Sequence, residues 1–334
     1  MTILVTGGAG FIGSNFIIDW LKGEEEPVVN VDLLTYAGNL DNLESIANDP
    51  RYCFYQYDIA DSQSIDHLLS RHRPRAVIHF AAESHVDRSI AYAERFVETN
   101  IIGTFRLLEC ARKYWMNLSG SESNKFRFIN ISTDEVYGTL KPEEQAVGED
   151  SSYKPNSPYS ASKAAADHFV RAFYQTYGLP ILTTNCSNNY GPHQFPEKLI
   201  PLAIMSAIKN RPIPVYGDGL QVRDWLFVSD HCSAVREILR AGSIGESYNI
   251  GGSCEKTNLE VVTLICDLID EKRPLMNDLS YRSLITHVSD RPGHDRRYAV
   301  DASKLRQQLN WGVEETFQTG ISKTIDWYLE NAPE

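Results

Sequence analysis

A doubly wound parallel α/β sheet with a smaller mixed α/β unit after it is predicted from three observations. Short apolar runs alternate with longer helix-period segments as far as about residue 186; a glycine-rich turn joins the first run to the first helix; beyond that point Gly and Pro punctuate the chain more often. In order, TILVTG reads as a strand and GSNFIIDWLKG as a helix, followed by strands in PVVNVD, CFYQYDI and AVIHFAAES. A helix runs through ETNIIGTFRLLECARKYW, and FRFINIS is the next strand. Ser157 and Pro158 open a helix that carries SASKAAADHFVRAFYQTYG and stops at Gly178 and Pro180, before the strand ILTTNCS. These strands are almost continuously apolar, as strands covered by helices on both faces are. Further on, PEKLIPLAIMSAIKN, TNLEVVTLICDLIDEK and ETFQTGISKTIDWYLENA read as helices, PIPVYGDG as turns and QVRDWLFVSDH as strand.

The 334 residues are 42% apolar, enough for a large core, and carry a net charge of -12. That charge disfavours nonspecific attraction to nucleic acid or an anionic membrane, and an anionic ligand would need locally clustered arginines. Cysteines at 53, 110, 186, 232, 254 and 266 form no CxxC pair and no metal-like spacing with His, so they read as scattered core thiols, without a metal site, in a reducing cytoplasm. No apolar run reaches the roughly 18 residues of a membrane span, and the first strand begins at once without a leader, so a soluble, unprocessed chain is expected. The sequons at Asn117, Asn130 and Asn185 read as accidents, Asn130 lying inside an apolar strand, and the Glu24–Glu26 run reads as a solvated loop.

TGGAGFIG places Gly7, Gly10 and Gly13 three apart between a strand and a helix. Glycines there permit the tight turn, let backbone approach a pyrophosphate and let helix pack on strand, while the helix amino end favours phosphate. This is a Rossmann-type dinucleotide signature. Asp32 ends the second strand about 20 residues on, where a carboxylate bonds both ribose hydroxyls and repels a 2'-phosphate, which argues for NAD over NADP. Asp58, placed at the end of the next strand, either approaches the adenine or forms a turn.

Tyr159 and Lys163 in SPYSASKAAADH are four apart on a predicted helix and share a face. An ammonium beside a phenol lowers its pKa from about 10 and makes it a base for a hydroxyl proton. ISTDEVYG ends its strand in Asp134 and Glu135. Successive strand side chains point to opposite faces, so the strand is predicted to end near Thr133, where a turn lets both carboxyls reach the carboxyl-edge cleft. The alternative is a pair of acids in the first turn of a helix.

Together these features resemble the extended short-chain dehydrogenase/reductase family that acts on nucleotide sugars. The blocks HFAAESHVDRSI, ISTDEVYG, SPYSASKA, NCSNNYGP, FPEKLIP, RDWLFVSDH, YNIGG and DRPGHDRRY span nearly the whole chain and are similar, within it, to the dTDP-glucose 4,6-dehydratase family. The resemblance implies an NAD-binding Rossmann unit over 1–186, containing the Tyr/Lys helix, and a mainly substrate-binding unit over 187–334, some segments of which return to the first. It implies dehydration of dTDP-glucose to the 4-keto-6-deoxy sugar. C4 is oxidised at the expense of NAD, Glu135 removes the C5 proton, Asp134 protonates the departing C6 hydroxyl, and the hydride returns to C6. Tyr159 takes the C4 hydroxyl proton, Thr133 bonds the same oxygen, and Lys163 also holds the nicotinamide ribose. For Asp134 to hold a proton near pH 7 its pKa has to rise, through burial and its neighbour.

Carried over residue by residue, the cofactor contacts implied are Gly7, Gly10, Phe11, Ile12, Gly13, Asp32, Leu33, Thr35, Gly38, Asp58, Ile59, Phe80, Ala81, Ala82, Ser84, Thr99, Tyr159, Lys163 and Asn188. The nucleotide-sugar contacts implied are Ser84, His85, Thr133, Asp134, Glu135, Asn188, Glu197, Lys198, Leu199, Pro214, Tyr216, Arg223, Asn258, Arg291, His294 and Tyr298, with Arg223 and Arg291 as the diphosphate cluster. Read without the resemblance, either arginine fits a surface ion pair and His294 a surface imidazole. Leu33 stands where many relatives have a basic residue, and the stretch from Gly138 to Tyr159 is shorter than in some. The rival readings are a UDP-sugar 4-epimerase, which needs no acid and base at 134 and 135, another nucleotide-sugar 4,6-dehydratase, and a noncatalytic NAD-sensing protein on the same scaffold. Relatives pair the helices around Thr104–Tyr114 and Ala161–Tyr177 into a four-helix bundle, so a homodimer is expected.

Overall fold

The computed structural model describes residues 1–276 and 279–331. Its first half alternates strands β1 (Ile3–Thr6), β2 (Val28–Val31), β3 (Tyr52–Tyr55), β4 (Ala76–His79), β5 (Arg127–Thr133) and β6 (Ile181–Cys186) with helices α1 (Phe11–Gly23), α2 (Ser62–His72), α3 (Val86–Ala91), α4 (Ala93–Phe96), α5 (Thr104–Met116), α6 (Gly120–Lys125) and α7 (Pro158–Tyr177). The strands lie parallel in the order β6-β5-β4-β1-β2-β3, so the order reverses direction between β1 and β4. The second half adds β7 (Asn188–Tyr190), α8 (Leu199–Ile208), β8 (Ile213–Tyr216), β9 (Val222–Phe227), α9 (Val228–Ala241), β10 (Ser247–Ile250), β11 (Glu255–Thr257), α10 (Asn258–Lys272), β12 (Ile285–Val288), α11 (Ser303–Leu309) and α12 (Phe317–Asn331). Strand β10 joins the main sheet beside β6 as its seventh strand, in parallel register with Tyr248 opposite Thr184.

Side-chain alternation divides the core. Ile3 and Val5 face α1 and α9, packing with Phe16, Trp20, Val235 and Ile238, while Leu4 between them faces α2, α5 and α7 with Leu68, Leu107 and Phe173. A separate core holds the second half, where Ile204 of α8, Ile265 of α10 and Ile325 of α12 close over Trp225 and Phe317. Truncating one of these fully buried Leu or Ile side chains to Ala costs about 2–5 kcal/mol.

Several local readings need correction. PIPVYGDG contains β8, paired in parallel with β12; its partner lies some seventy positions away and no local signal announces it. QVRDWLFVSDH stops being strand at Phe227, and VSDH opens α9. Residues Val97–Gly103 before α5 form a π-helix, whose bonding pattern leaves no sequence period of its own. Strand β3 ends at Tyr55, three residues before Asp58. The last residue of the helix reading that closes in α12, Ala332, lies outside the described residues. Cys53 is exposed rather than in the core. Glu26 is no solvated loop residue: its carboxylate receives the Arg75 fork at 2.8 and 2.7 Å. Among the described residues no helix is long and apolar enough to cross a membrane.

Candidate active site

At the carboxyl ends of the strands, where the strand order reverses, a cleft opens with a cavity of about 290 Å³. Each wall follows from local structure. Gly7 leaves β1 at φ +72°, and a Cβ on it would lie 2.5 Å from the Ala81 nitrogen, so only glycine permits this turn. Helix α1 starts after Gly10 without a side-chain cap, and Gly10, Phe11, Ile12 and Gly13 line the cavity, presenting helix amino-end N–H groups. Asp32 follows β2; its Oδ2 accepts from Ala9 N at 2.9 Å and its Oδ1 from Leu34 N at 2.8 Å, which fixes the carboxylate while each oxygen keeps a second lone pair. A dinucleotide fits this donor set: backbone N–H for phosphate, a fixed carboxylate for ribose hydroxyls. Leu33, Thr35, Gly38, Asp58, Ile59, Phe80, Ala81, Ala82, Ser84, Thr99 and Asn188 line the same cavity. Asp58 also closes a turn onto Ala60 N at 2.8 Å, the turn-forming alternative.

β5 ends at Thr133, and a 3-10 turn, Asp134–Tyr137, carries the two acids into the cleft. Thr133 caps that turn through Glu135 N at 3.3 Å, and Gly138 ends it at φ +79°, where a Cβ would lie 2.2 Å from the Lys154 carbonyl. The acids are therefore first-turn acids and cleft residues at once. Asp134 is buried; Oδ1 accepts from Thr133 at 3.3 Å and Oδ2 has no hydrogen-bond partner among the described residues. Burial, then Glu135, then Asp224 hold its carboxyl well above the usual carboxylate range. Burial also raises Glu135, but Arg291, Arg223 and Lys198 pull it back. Both acids are raised, Asp134 far above the carboxylate range and Glu135 against the opposing pull of three cations.

Helix α7 brings the third element. Ser157 caps it by accepting from Ser160 N at 3.1 Å, Pro158 sits at its first position, and Gly178 ends it in the left-handed conformation. Tyr159 and Lys163 both line the cavity. Lys163 Nζ donates to the Ile131 carbonyl at 2.8 Å. Burial, with Glu135 next, pushes Tyr159 up, and the Thr133 hydroxyl pulls it down.

The second half supplies the rim. Glu197 and Lys198 line the cavity, Lys198 bonding the Ser84 carbonyl at 2.7 Å. Arg291 is an ion pair after all, with Asp87 at 3.2 Å, and Tyr216 bonds the same carboxylate at 3.2 Å. Arg223 is buried rather than on the surface, bonds the Asp295 carbonyl at 3.0 Å and lies 4.4 Å from the Tyr298 ring centroid. His294 is held by Asp290 at 2.6 Å, edge-on to Tyr216. His85 Nε2 stands 4.0 Å from Glu197, and Asn258 opens α10 with its N–H on the Gln221 carbonyl. Leu199, Pro214, Tyr216, Arg223, Asn258, Arg291, His294, Tyr298 and His85 lie outside the lining of the cavity itself. Sequence reasoning missed Tyr36, over whose ring the Arg88 guanidinium sits at 3.8 Å, and Glu83, Ser187, Asn189, Gln194 and Phe195 in the cavity wall. Asp87 and Glu83 stood inside a quoted block; Tyr36 carried no signal.

Residues 4–324 match the family model described as GDP-mannose 4,6 dehydratase. The chain is 56% identical to the dTDP-glucose 4,6-dehydratase of Neisseria meningitidis serogroup B over 331 residues, 98% of this chain and 93% of that one. A dTDP-glucose 4,6-dehydratase from Streptomyces venezuelae, solved with NAD bound, superposes with a TM-score of 0.91 at 42% identity, covering 99% of this chain and 98% of its own. A UDP-glucose 4-epimerase from Thermotoga maritima, solved with UDP-glucose, reaches 0.86 at 27% identity with all of both chains covered. Fold is thus shared across both reactions, and identity separates them: the chain belongs to the dTDP-glucose 4,6-dehydratase family.

Proposed function

We propose that this protein is an NAD-dependent hydro-lyase that converts dTDP-glucose to dTDP-4-keto-6-deoxyglucose. The observation that carries the reading is the pair Asp134 and Glu135 on one 3-10 turn in the cleft, where burial and Glu135 hold Asp134 well above the carboxylate range and three cations oppose the rise of Glu135. A 4-epimerase on this scaffold has no use for such a pair. The wall from Gly7 to Asn188 holds NAD, and when bound NAD supplies the redox chemistry, taking two electrons from C4 and returning them at C6.

The chain's own residues do the proton work. Tyr159 accepts the C4 hydroxyl proton while Thr133 bonds that oxygen, and Lys163 holds the nicotinamide ribose and keeps positive charge at the site. Glu135, raised by burial and pulled back by Arg291, Arg223 and Lys198, removes the C5 proton, made acidic by the C4 ketone. Asp134, kept protonated by burial, gives its proton to the C6 oxygen as water leaves. Arg223 and Arg291 bind the diphosphate; Arg291 exchanges Asp87 for phosphate oxygens, a stronger bidentate partner. Glu197, Tyr216, Asn258, His294 and Tyr298 frame the nucleotide and sugar.

The functional division is 1–186 for cofactor and 187–334 mainly for substrate, with β10 among the segments that serve the first unit. The enzyme works in the cytoplasm as a homodimer through α5 and α7, whose outer faces expose Phe169 and Tyr177 and seat Phe105 against Phe169. Incubating purified protein with dTDP-glucose, UDP-glucose and GDP-mannose tests the assignment. An alkali-labile 4-keto chromophore is expected with dTDP-glucose first, and silence with all three removes it. A monomeric mass in light scattering removes the dimer.

A further inference from the structure

Asp167 stands one turn beyond Lys163 on α7, as Lys163 stands one turn beyond Tyr159. It is buried, and three donors converge on it: Asn130 Nδ2 at 2.8 Å, Ser132 Oγ at 2.6 Å and Tyr153 OH at 3.2 Å. Asn130 and Ser132 alternate on β5 and therefore share a face; Ile131 between them gives its carbonyl to Lys163. An amide N–H2 and two hydroxyls donating to both oxygens is a coordination that suits an ionised carboxylate. Lys163, equally buried, has that one carbonyl as its hydrogen-bond partner. A buried ammonium without a nearby anion gives up its proton.

We infer that Asp167 is a positioning residue that keeps Lys163 charged and ties α7 to the strand delivering Thr133, Asp134 and Glu135. The inference rests on the proposed role of Lys163 beside Tyr159. Burial pushes Lys163 down, and Asp167 is the leading charge that opposes it. Other titratable groups facing the pair are Cys186 from β6, whose thiol burial pushes up to about 12, and His79 from β4, which burial and then Lys163 hold down to about 3 and which bonds Thr6 and Thr104. Tyr153 and Tyr137, packed toward Asp167, are raised by burial. These shifts favour the neutral forms of all four, and Glu135 faces Arg291, Arg223 and Lys198; burial also raises Asp167, while Lys163 and its three donors pull it back.

The test compares wild type, Asp167→Asn and Asp167→Glu as holoenzymes. Competitive amine acetylation across pH, resolved by peptide mass spectrometry, titrates Lys163 directly. In Asp167→Asn its inflection is expected to fall by about one pH unit, with about tenfold faster labelling at a fixed pH below it, and in Asp167→Glu to return toward wild type. The alkaline limb of kcat on dTDP-glucose is expected to move down in parallel. An unmoved Lys163 titration alongside a lowered Tm makes Asp167 a strut alone and overturns the inference. If Asp167→Asn does not fold, Ser132→Ala, which removes the shortest donor, is expected to move Lys163 the same way by a smaller amount, and no movement overturns it. Wild type inactive on dTDP-glucose overturns the proposed reaction instead, while the labelling still decides the charge on Lys163.

Discussion

On the cofactor side of the cleft the contacts come from backbone: the Gly7–Gly13 turn, the amino end of α1, and an Asp32 carboxylate pinned by two N–H groups. On the sugar-nucleotide side they come from long side chains gathered across the chain, with Arg291 reaching Asp87 over 204 positions and Tyr216 reaching it over 129. The first wall has one arrangement and cannot yield. The second consists of ion pairs and ring contacts that trade partners at small cost, as a site that must release its product requires.

The comparison is sharpened most where the walls meet. Glu135→Gln is expected to lower kcat by about 10²–10⁴ while substrate still reduces bound NAD, seen as the near-ultraviolet absorbance of the reduced nicotinamide. Full turnover by that variant places the base elsewhere. Next comes the rigid wall: Gly7→Ala at φ +72° meets Ala81 and is expected to cost about 1–3 kcal/mol from conformation alone, with bound NAD lost from the purified protein. A variant that keeps both its Tm and its NAD would show the turn to be as adaptable as the rim. On the rim, Arg291→Lys keeps the charge but not the fork, and KM is expected to rise about tenfold with kcat little changed; an equal fall in kcat would tie Arg291 to the chemistry.

The smallest effect concerns stability. Burial raises the pKa of Asp134 in the folded state, so the folded chain binds that proton more tightly than the unfolded one. Stability therefore falls as pH rises from the ordinary carboxylate value of 3.8 through the raised one, and the loss is complete above both. Asp134→Asn removes the charge and is expected to gain about 0.5–2 kcal/mol at neutral pH, the gain shrinking as pH falls toward 4, while dehydration stops. A Tm difference that ignores pH would mean the carboxylate is not strained there.

The same division explains what was legible in the sequence. Glycine spacing, the Ser157-Pro158 helix start and the Gly178 stop are backbone requirements, and backbone requirements leave residue-type signatures. The end of β5 followed from alternation alone, since Asp134 and Glu135 could not share a ligand from regular strand. Strand β8 was read as turn because Pro212, Pro214 and the glycines just after it, Gly217 and Gly219, are local signals while its partner β12 is distant. The Lys163 bond to Ile131 was not legible, because helical spacing tells which face a side chain shares, not which acceptor it takes. The rim residues came through similarity of whole blocks, because Tyr298 under Arg223 obeys no short-range rule; Tyr36 under Arg88 lay in no such block and was missed.

The seventh strand has a consequence for how the chain is made. During synthesis β6 emerges well before β10, so the sheet spends that interval with the backbone groups of a six-residue edge unpaired. Its burial pattern is that of an interior strand, with every residue from Ile181 to Cys186 covered in the finished fold. Truncations short of Ile250 should therefore be captured by chaperones or precipitate rather than accumulate as a free-standing nucleotide-binding half.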